Sequence, residues 1–200
     1  MQFCEFDGLI LCGGESSRMG SDKAFVDFGG SPLVTRPIAA LENARQIYAV
    51  GGDQEALEKL GVGFAHDEAS SSGPAMALVT GARQLGPSAA ATTVALSCDL
   101  PLINRMVVDS LVQARHRCGA DVAVLLTEGR AQWLVSAWNH QSLVTRTVVS
   151  SASIRELLVE LSICYVVNRE LSTYAIDADR PQDLEVLRAP SKPTQVVASQ

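Results

Sequence analysis

A chain of 200 residues that is 47% hydrophobic and 19% charged can bury a core without help from metals or disulfides, and its composition is not that of a disordered protein. The formal net charge of −6 weighs against broad nucleic-acid binding, which needs a surplus of Lys and Arg; a small phosphorylated substrate needs only a few local cations. No apolar run approaches the roughly 20 residues that span a bilayer, and no cationic segment leads into an apolar stretch with a cleavage site, so a cytoplasmic protein without a membrane partner is expected.

The run Phe6 to Cys12 is short and apolar and stops at Gly13-Gly14, the pattern of a buried first strand. A loop rich in Gly, Ser and charge covers 13–23, and Pro32 then opens a helix to about Ala44 with proline in its first turn. Ile47 to Val50 reads as a strand ending at Gly51-Gly52, Glu55 to Leu60 as a short helix, and Val62 to Ala65 as a third strand. A polar loop over 66–73 precedes a helix from Pro74 to about Leu85. Thr93 to Ser97 is a strand that delivers Cys98, Asp99 and Pro101 to its end, and Asn104 is placed to cap a helix running to about His116. Asp121 to Leu126 is again a strand.

This alternation of strand and helix predicts a parallel sheet with helices on both faces. Beyond Gly129 the pattern changes. A strand over Trp133 to Trp138 is followed by helical segments at about 140–149 and 154–161. Strands near 163–167 and 174–177 and a helix from Pro181 to about Leu187 complete the series. No repeat and no Pro-, Gly- or Ser-rich linker marks a second domain, so one domain over 1–189 and a flexible tail over 190–200 are expected. The five cysteines, Cys4, Cys12, Cys98, Cys118 and Cys164, contain no CxxC pair and read as buried thiols.

Ligands of open parallel sheets bind at the carboxyl ends of the strands. Four polar clusters fall at such ends. The first is Leu11-Cys12-Gly13-Gly14-Glu15-Ser16-Ser17-Arg18-Met19-Gly20-Ser21-Asp22-Lys23. Its glycines let backbone N–H groups approach a phosphate or a base, and Arg18 and Lys23 supply the charge that triphosphate chemistry needs. It is neither a Walker A loop nor a GxGxxG fingerprint. The second cluster, Asp67 to Pro74, reads by itself as a loop with proline at the first helical position. The third is Asp99, just past an apolar strand, which suits a Mg²⁺ carboxylate or a turn. Asp177 and Asp179 alternate along the expected strand and so would face the same way, toward a cation, a substrate amine or solvent. None of the three histidines stands at metal-ligand spacing, and Ser16 and Ser17 lack the GxSxG setting of a nucleophile.

At these residues the chain resembles the molybdenum cofactor guanylyltransferases. Leu11-x-Gly-Gly-x-Ser-x-Arg-Met-Gly-x-Asp-Lys23 matches their N-terminal signature almost fully. The likeness continues through Asp67, Gly73-Pro74, Cys98-Asp99-x-Pro101 and Pro181-x-Asp183-Leu184, covering roughly 7–188. Asp22 before Lys23 favours the guanylyl enzymes over their cytidylyl relatives.

The resemblance implies a Rossmann-like three-layer sandwich with a mostly parallel, doubly wound sheet. It also implies transfer of GMP from GTP to the phosphate of molybdopterin, with Mg²⁺ as cofactor and cofactor-delivery proteins as possible partners. Leu11, Cys12, Gly13 and Gly14 would hold the nucleotide through the backbone, Lys23 and Arg18 its phosphates, Asp67 the guanosine and Asp99 the metal. A nucleotide-binding half to about 126 would face an acceptor-binding half over about 127–189. A CTP-dependent relative and a non-catalytic nucleotide-binding module are the alternatives. The chain departs from the family pattern at Cys12, usually Ala, and at Ala75-Met76-Ala77, usually Leu-Ala-Gly. It also departs at Trp133, usually Pro, and at Asp177 and Asp179, usually Asn.

Overall fold

The computed structural model describes residues 4–12, 22–66, 73–149, 151–178 and 180–188; the expected tail over 190–200 lies outside them. Seven strands form one sheet in the order β3-β2-β1-β4-β6-β5-β7. The strands are β1 (Asp7–Leu11), β2 (Ile47–Val50), β3 (Gly63–Ala65), β4 (Thr92–Ser97), β5 (Val122–Thr127), β6 (Arg130–Asn139) and β7 (Ile163–Val167). β1 pairs in parallel with β2 on one side and with β4 on the other, so the strand order reverses between them. That reversal opens a crevice at their carboxyl ends.

The apolar runs become central strands because both faces of the sheet are covered. Ile10 and Leu96 pack with Val107, Val108, Leu111 and Val112 of α4 (Arg105–Cys118) on one face. Leu9 and Leu11 pack on the other against Leu78, Val79 and Ala82 of α3 (Pro74–Gln84). Burying each such side chain contributes about 1.5–3 kcal/mol. Gly81 lets α3 lie close to the sheet: a Cβ there would stand 2.6 Å from Val50 Cγ2. Asn104 caps α4 as expected, its side chain accepting from the Val107 N–H.

The sheet differs from the expectation in two strands, β6 and the stretch 174–177. β6 is longer than Trp133 to Trp138 and runs antiparallel between β4 and β5. A two-residue turn makes this possible, with Glu128 at φ 49° and Gly129 at φ 78° between paired Thr127 and Arg130. Positive φ at both central positions is what a tight hairpin requires. The register with β5 then jumps from Val124↔Ser136 to Leu125↔Gln132, so 133–135 bulge from that ladder.

Three helical segments are shorter than expected, α1 (Thr35–Ala40), α5 (His140–Val144) and α6 (Ile154–Leu157), while α2 (Gln54–Lys59) has the expected length, shifted by one residue. Pro32 is not in the first turn of α1; it makes an isolated bridge with Asp27. No strand forms over 174–177. A short helix, α7 (Arg169–Ser172), precedes that stretch, capped by the Asn168 side chain on the Glu170 and Leu171 N–H groups. The chain then crosses the end of β4 irregularly, and the Ala178 N–H donates to the Asp99 carbonyl at 2.9 Å. Alternation of Asp177 with Asp179 along a strand therefore does not hold, and Asp179 lies outside the described residues. The helix α8 (Pro181–Arg188) stands where it was expected.

The reading of five free thiols also needs correction. Cys118 of α4 and Cys164 of β7 are joined as a disulfide, a pairing across 46 residues that no spacing announces. Cys4, Cys12 and Cys98 are free.

At the amino-terminal end of the central strand β4, the His140 ring Nδ1 lies 3.0 Å from Thr93 Oγ1. Burial holds its pKa below the ordinary histidine value, with Asp7 opposing that shift. The unfolded chain therefore takes up this proton first as pH falls. Stability from this group is full above the ordinary histidine pKa and declines below it. The urea midpoint is expected to drop between pH 7.5 and 5.5, and to drop less in His140→Gln; equal losses in both proteins would clear His140.

Candidate active site

The ladder runs one residue past β1 and β4. The Cys12 N–H donates to the Val50 carbonyl at 2.9 Å and the Cys98 N–H to the Leu11 carbonyl at 3.1 Å. Cys12 and Cys98 are thereby buried side by side at the two strand ends. The hydrogen bond with Cys12 raises the Cys98 pKa well above its ordinary value, and burial adds to the shift. A protonated, buried thiol is a packing group and a poor nucleophile. The Leu11 side chain is buried against α3, so only its backbone can serve a ligand.

The chain re-enters the described structure at Asp22. Its carboxylate accepts from the Ala24 N–H at 3.0 Å and caps a 3₁₀ turn over Lys23–Phe25, while the Ala24 side chain is fully buried beneath. That anchor sets the direction of Lys23, whose Nζ donates to Asp99 Oδ2 at 3.2 Å. The two side chains are 20% and 14% exposed, so the pair is shielded yet still open to a ligand. Ser97 Oγ donates to Asp99 Oδ1 and orients the carboxylate from its other side. Sequence reasoning passed over Ser97. The signal was a hydroxyl two residues before the acid at the end of an apolar strand.

Asp99 and Asp177 line one cavity of about 440 Å³, together with Pro74, Gln132, Trp133 and Arg155. A second cavity of about 820 Å³ shares Gln132, Trp133, Arg155 and Asp177 and extends to Arg130 and Tyr165. The structure thus brings together Lys23, Asp99 and the strand-end residues Leu11 and Cys12, and sets Asp177 in the same crevice as Asp99. Gly13, Gly14, Arg18 and Asp67 lie outside the described residues. Trp133 stood out in the sequence only as a departure from the family pattern, and neither it nor Gln132 or Arg155 was given a site role: the hairpin and bulge of β6 bring Gln132 and Trp133 to this edge, and α6 brings Arg155.

The donor chemistry suits Mg²⁺. Carboxylates are hard oxygen ligands, and Asp99 and Asp177 line one cavity. Among the described residues no cluster of three or more His, Cys, Asp or Glu forms a complete cage. Mg²⁺ is ordinarily held by one or two carboxylates together with substrate phosphates, so a partial protein shell is the expected arrangement.

The strand order reverses between β1 and β4, which opens a ligand crevice there, and the Lys23–Asp99 pair stands beside it. The chain belongs to the family of MobA-like NTP transferase domains, whose profile matches residues 8–164. A probable molybdenum cofactor guanylyltransferase of Mycobacterium avium is 26% identical over 185 residues, covering 90% of this chain and 93% of the relative. Another from Flavobacterium johnsoniae is 30% identical over 136 residues, covering 68% of this chain and 69% of the relative. The crystal structure of molybdopterin-guanine dinucleotide biosynthesis protein A from Archaeoglobus fulgidus shares the fold with a TM-score of 0.69 at 20% identity, covering 90% of this chain and 96% of that one. No described helix is long and apolar enough to cross a membrane.

Proposed function

We propose that this chain transfers GMP from GTP to the phosphate of molybdopterin in the cytoplasm, forming the guanine dinucleotide cofactor and releasing pyrophosphate. The observation that carries the reading is the shielded Lys23–Asp99 pair at the reversal crevice, with cavities of about 440 and 820 Å³ beside it. An acceptor phosphate oxygen attacks the α-phosphorus in line. The bond from that phosphorus to the bridging oxygen breaks, and the electron pair leaves with pyrophosphate. No covalent enzyme intermediate is needed, so catalysis is positioning plus stabilisation of charge.

In this reading the backbone of Leu11 to Gly14 holds the nucleotide, Lys23 and Arg18 hold its phosphates, and Asp67 holds the guanosine. Asp99 would hold a Mg²⁺ ion, with Asp177 beside it, and that ion would neutralise phosphate charge. The nucleotide occupies the half up to about 126 and the acceptor the half from about 127 to 189. Proteins that insert or deliver the cofactor are the expected partners.

One observation favours a second reading. Asp177 is an acid where guanylyl relatives usually have Asn, and it lines the cavity of Asp99. That arrangement is closer to a CTP-dependent enzyme. A ligand that binds only the native state raises its apparent stability. In a thermal-shift panel of GTP, CTP, ATP and UTP with Mg²⁺, GTP is expected to give the largest shift. A larger shift with CTP would transfer the assignment to the second reading.

A further inference from the structure

The two cavities meet at Trp133 and Arg155, forming a groove that leads from Asp99 across β6 and β5 toward Tyr165 on β7. Trp133 is there because of the bulge: it has left the β5 ladder, and its carbonyl accepts from Ser136 Oγ at 2.7 Å. Bulges re-aim side chains, and this one turns a half-buried indole toward the groove. Arg155 stands in the first turn of α6. The neighbouring Glu156 carboxylate is committed to the capping box with Ser153. Among the described residues, Arg155 has no side-chain hydrogen bond or ion pair.

The electrostatics of the crevice give Arg155 a task. An acceptor phosphate must approach a triphosphate past Asp99 and Asp177, in a chain of net charge −6. Lys23 stands on the nucleotide side and is engaged by Asp99. Arg155 is the cation shared by both cavities, on the path from the larger one to Asp99. A guanidinium can grip a phosphomonoester bidentately, and an indole face takes a flat heteroaromatic ring.

We propose that Trp133 and Arg155 select the acceptor: its heteroaromatic ring stacks on Trp133 while Arg155 holds its phosphomonoester arm in line with Asp99. The larger cavity of about 820 Å³ then accommodates the rest of the molecule, with Arg130 and Tyr165 at its far end. This rests on the reading that the acceptor is a phosphorylated pterin, and it names the residues that discriminate that acceptor from others.

Tryptophan fluorescence offers a direct test, because the chain has two tryptophans and Trp138 is fully buried. A stable pterin phosphomonoester, added without GTP, is expected to quench the wild-type emission saturably. It should leave the emission of Trp133→Phe unchanged. In Arg155→Ala its Kd should rise about ten-fold or more, equivalent to about 1.4 kcal/mol. The same pterin without phosphate should bind both proteins alike, and the thermal shift with GTP should be the same in all three. In turnover, KM for the acceptor should rise while KM for GTP stays constant. Quenching of Trp133 by GTP instead, or equal weakening of phosphorylated and unphosphorylated pterin in Arg155→Ala, would overturn the proposal. Riboflavin 5′-phosphate separates it from the parent reading. If that ligand showed the dependence on Trp133 and Arg155 and the pterin did not, the two residues would keep their role and the pterin acceptor would fall.

Discussion

Asp99→Asn is expected to abolish Mg²⁺-dependent turnover, with a fall in kcat of about a hundred-fold or more, the scale seen when a group that stabilises transition-state charge is removed. The substitution keeps the shape of the side chain, and an amide oxygen can still accept from Ser97 Oγ. It removes the charge that would hold the metal. The contact with Lys23 at 3.2 Å gives the effect on stability its sign: the substitution should lower the melting temperature slightly, because the amide leaves a shielded ammonium without that carboxylate. Lys23 is 20% exposed and can turn toward water, so the loss should be about 1 kcal/mol or less, read from melts of the ligand-free protein. A variant that melted far lower yet kept its Mg²⁺ response would make Asp99 a structural anchor for Lys23 and move the metal to Asp177.

Lys23→Ala is expected to slow transfer about ten-fold or more, roughly 1.4 kcal/mol, while the fold survives. The 3₁₀ turn does not depend on the ammonium. Asp22 still caps it, and Ala24 still anchors it in the core. The stability change should therefore stay within about 1 kcal/mol, checked by circular dichroism and thermal melts. The loss in rate comes from charge on the departing pyrophosphate that no longer meets the Lys23 ammonium. Lys23→Arg should recover part of it, since the charge returns on a broader, planar head. Normal turnover in Lys23→Ala would take Lys23 out of the site.

The elements that were legible in advance share a physical cause. β1, β2 and β4 are apolar runs bounded by glycine or polar residues, and a strand buried on both faces looks like that whatever surrounds it. Asn104 was legible as a cap because N-capping depends on a few adjacent residues. The elements misjudged were those set by distant partners. The stretch 174–177 has a strand-like composition. Ala175 and Ala178 are buried instead in a crossing segment, and the Ala178 N–H goes to Asp99 rather than to a ladder. Helix α7 hides behind the single Asn168 cap.

The sequence by itself determined the class of fold, the motif Leu11 to Lys23, and the acid Asp99 at the end of an apolar strand. Each depends on local pattern: hydrophobic period, loop composition, and the position of a charge relative to a strand end. Only the tertiary structure decided that Lys23 reaches Asp99 across 76 residues, that Ser97 orients that carboxylate, and that β6 enters the sheet antiparallel. It alone placed Trp133, Arg155 and Asp177 around one groove. These are contacts between segments far apart in the chain, chosen by which strand edges remain to be paired and which apolar faces remain to be covered. A one-dimensional pattern carries the tendency of each segment, but the competition among segments for the same neighbours is settled only in the folded core.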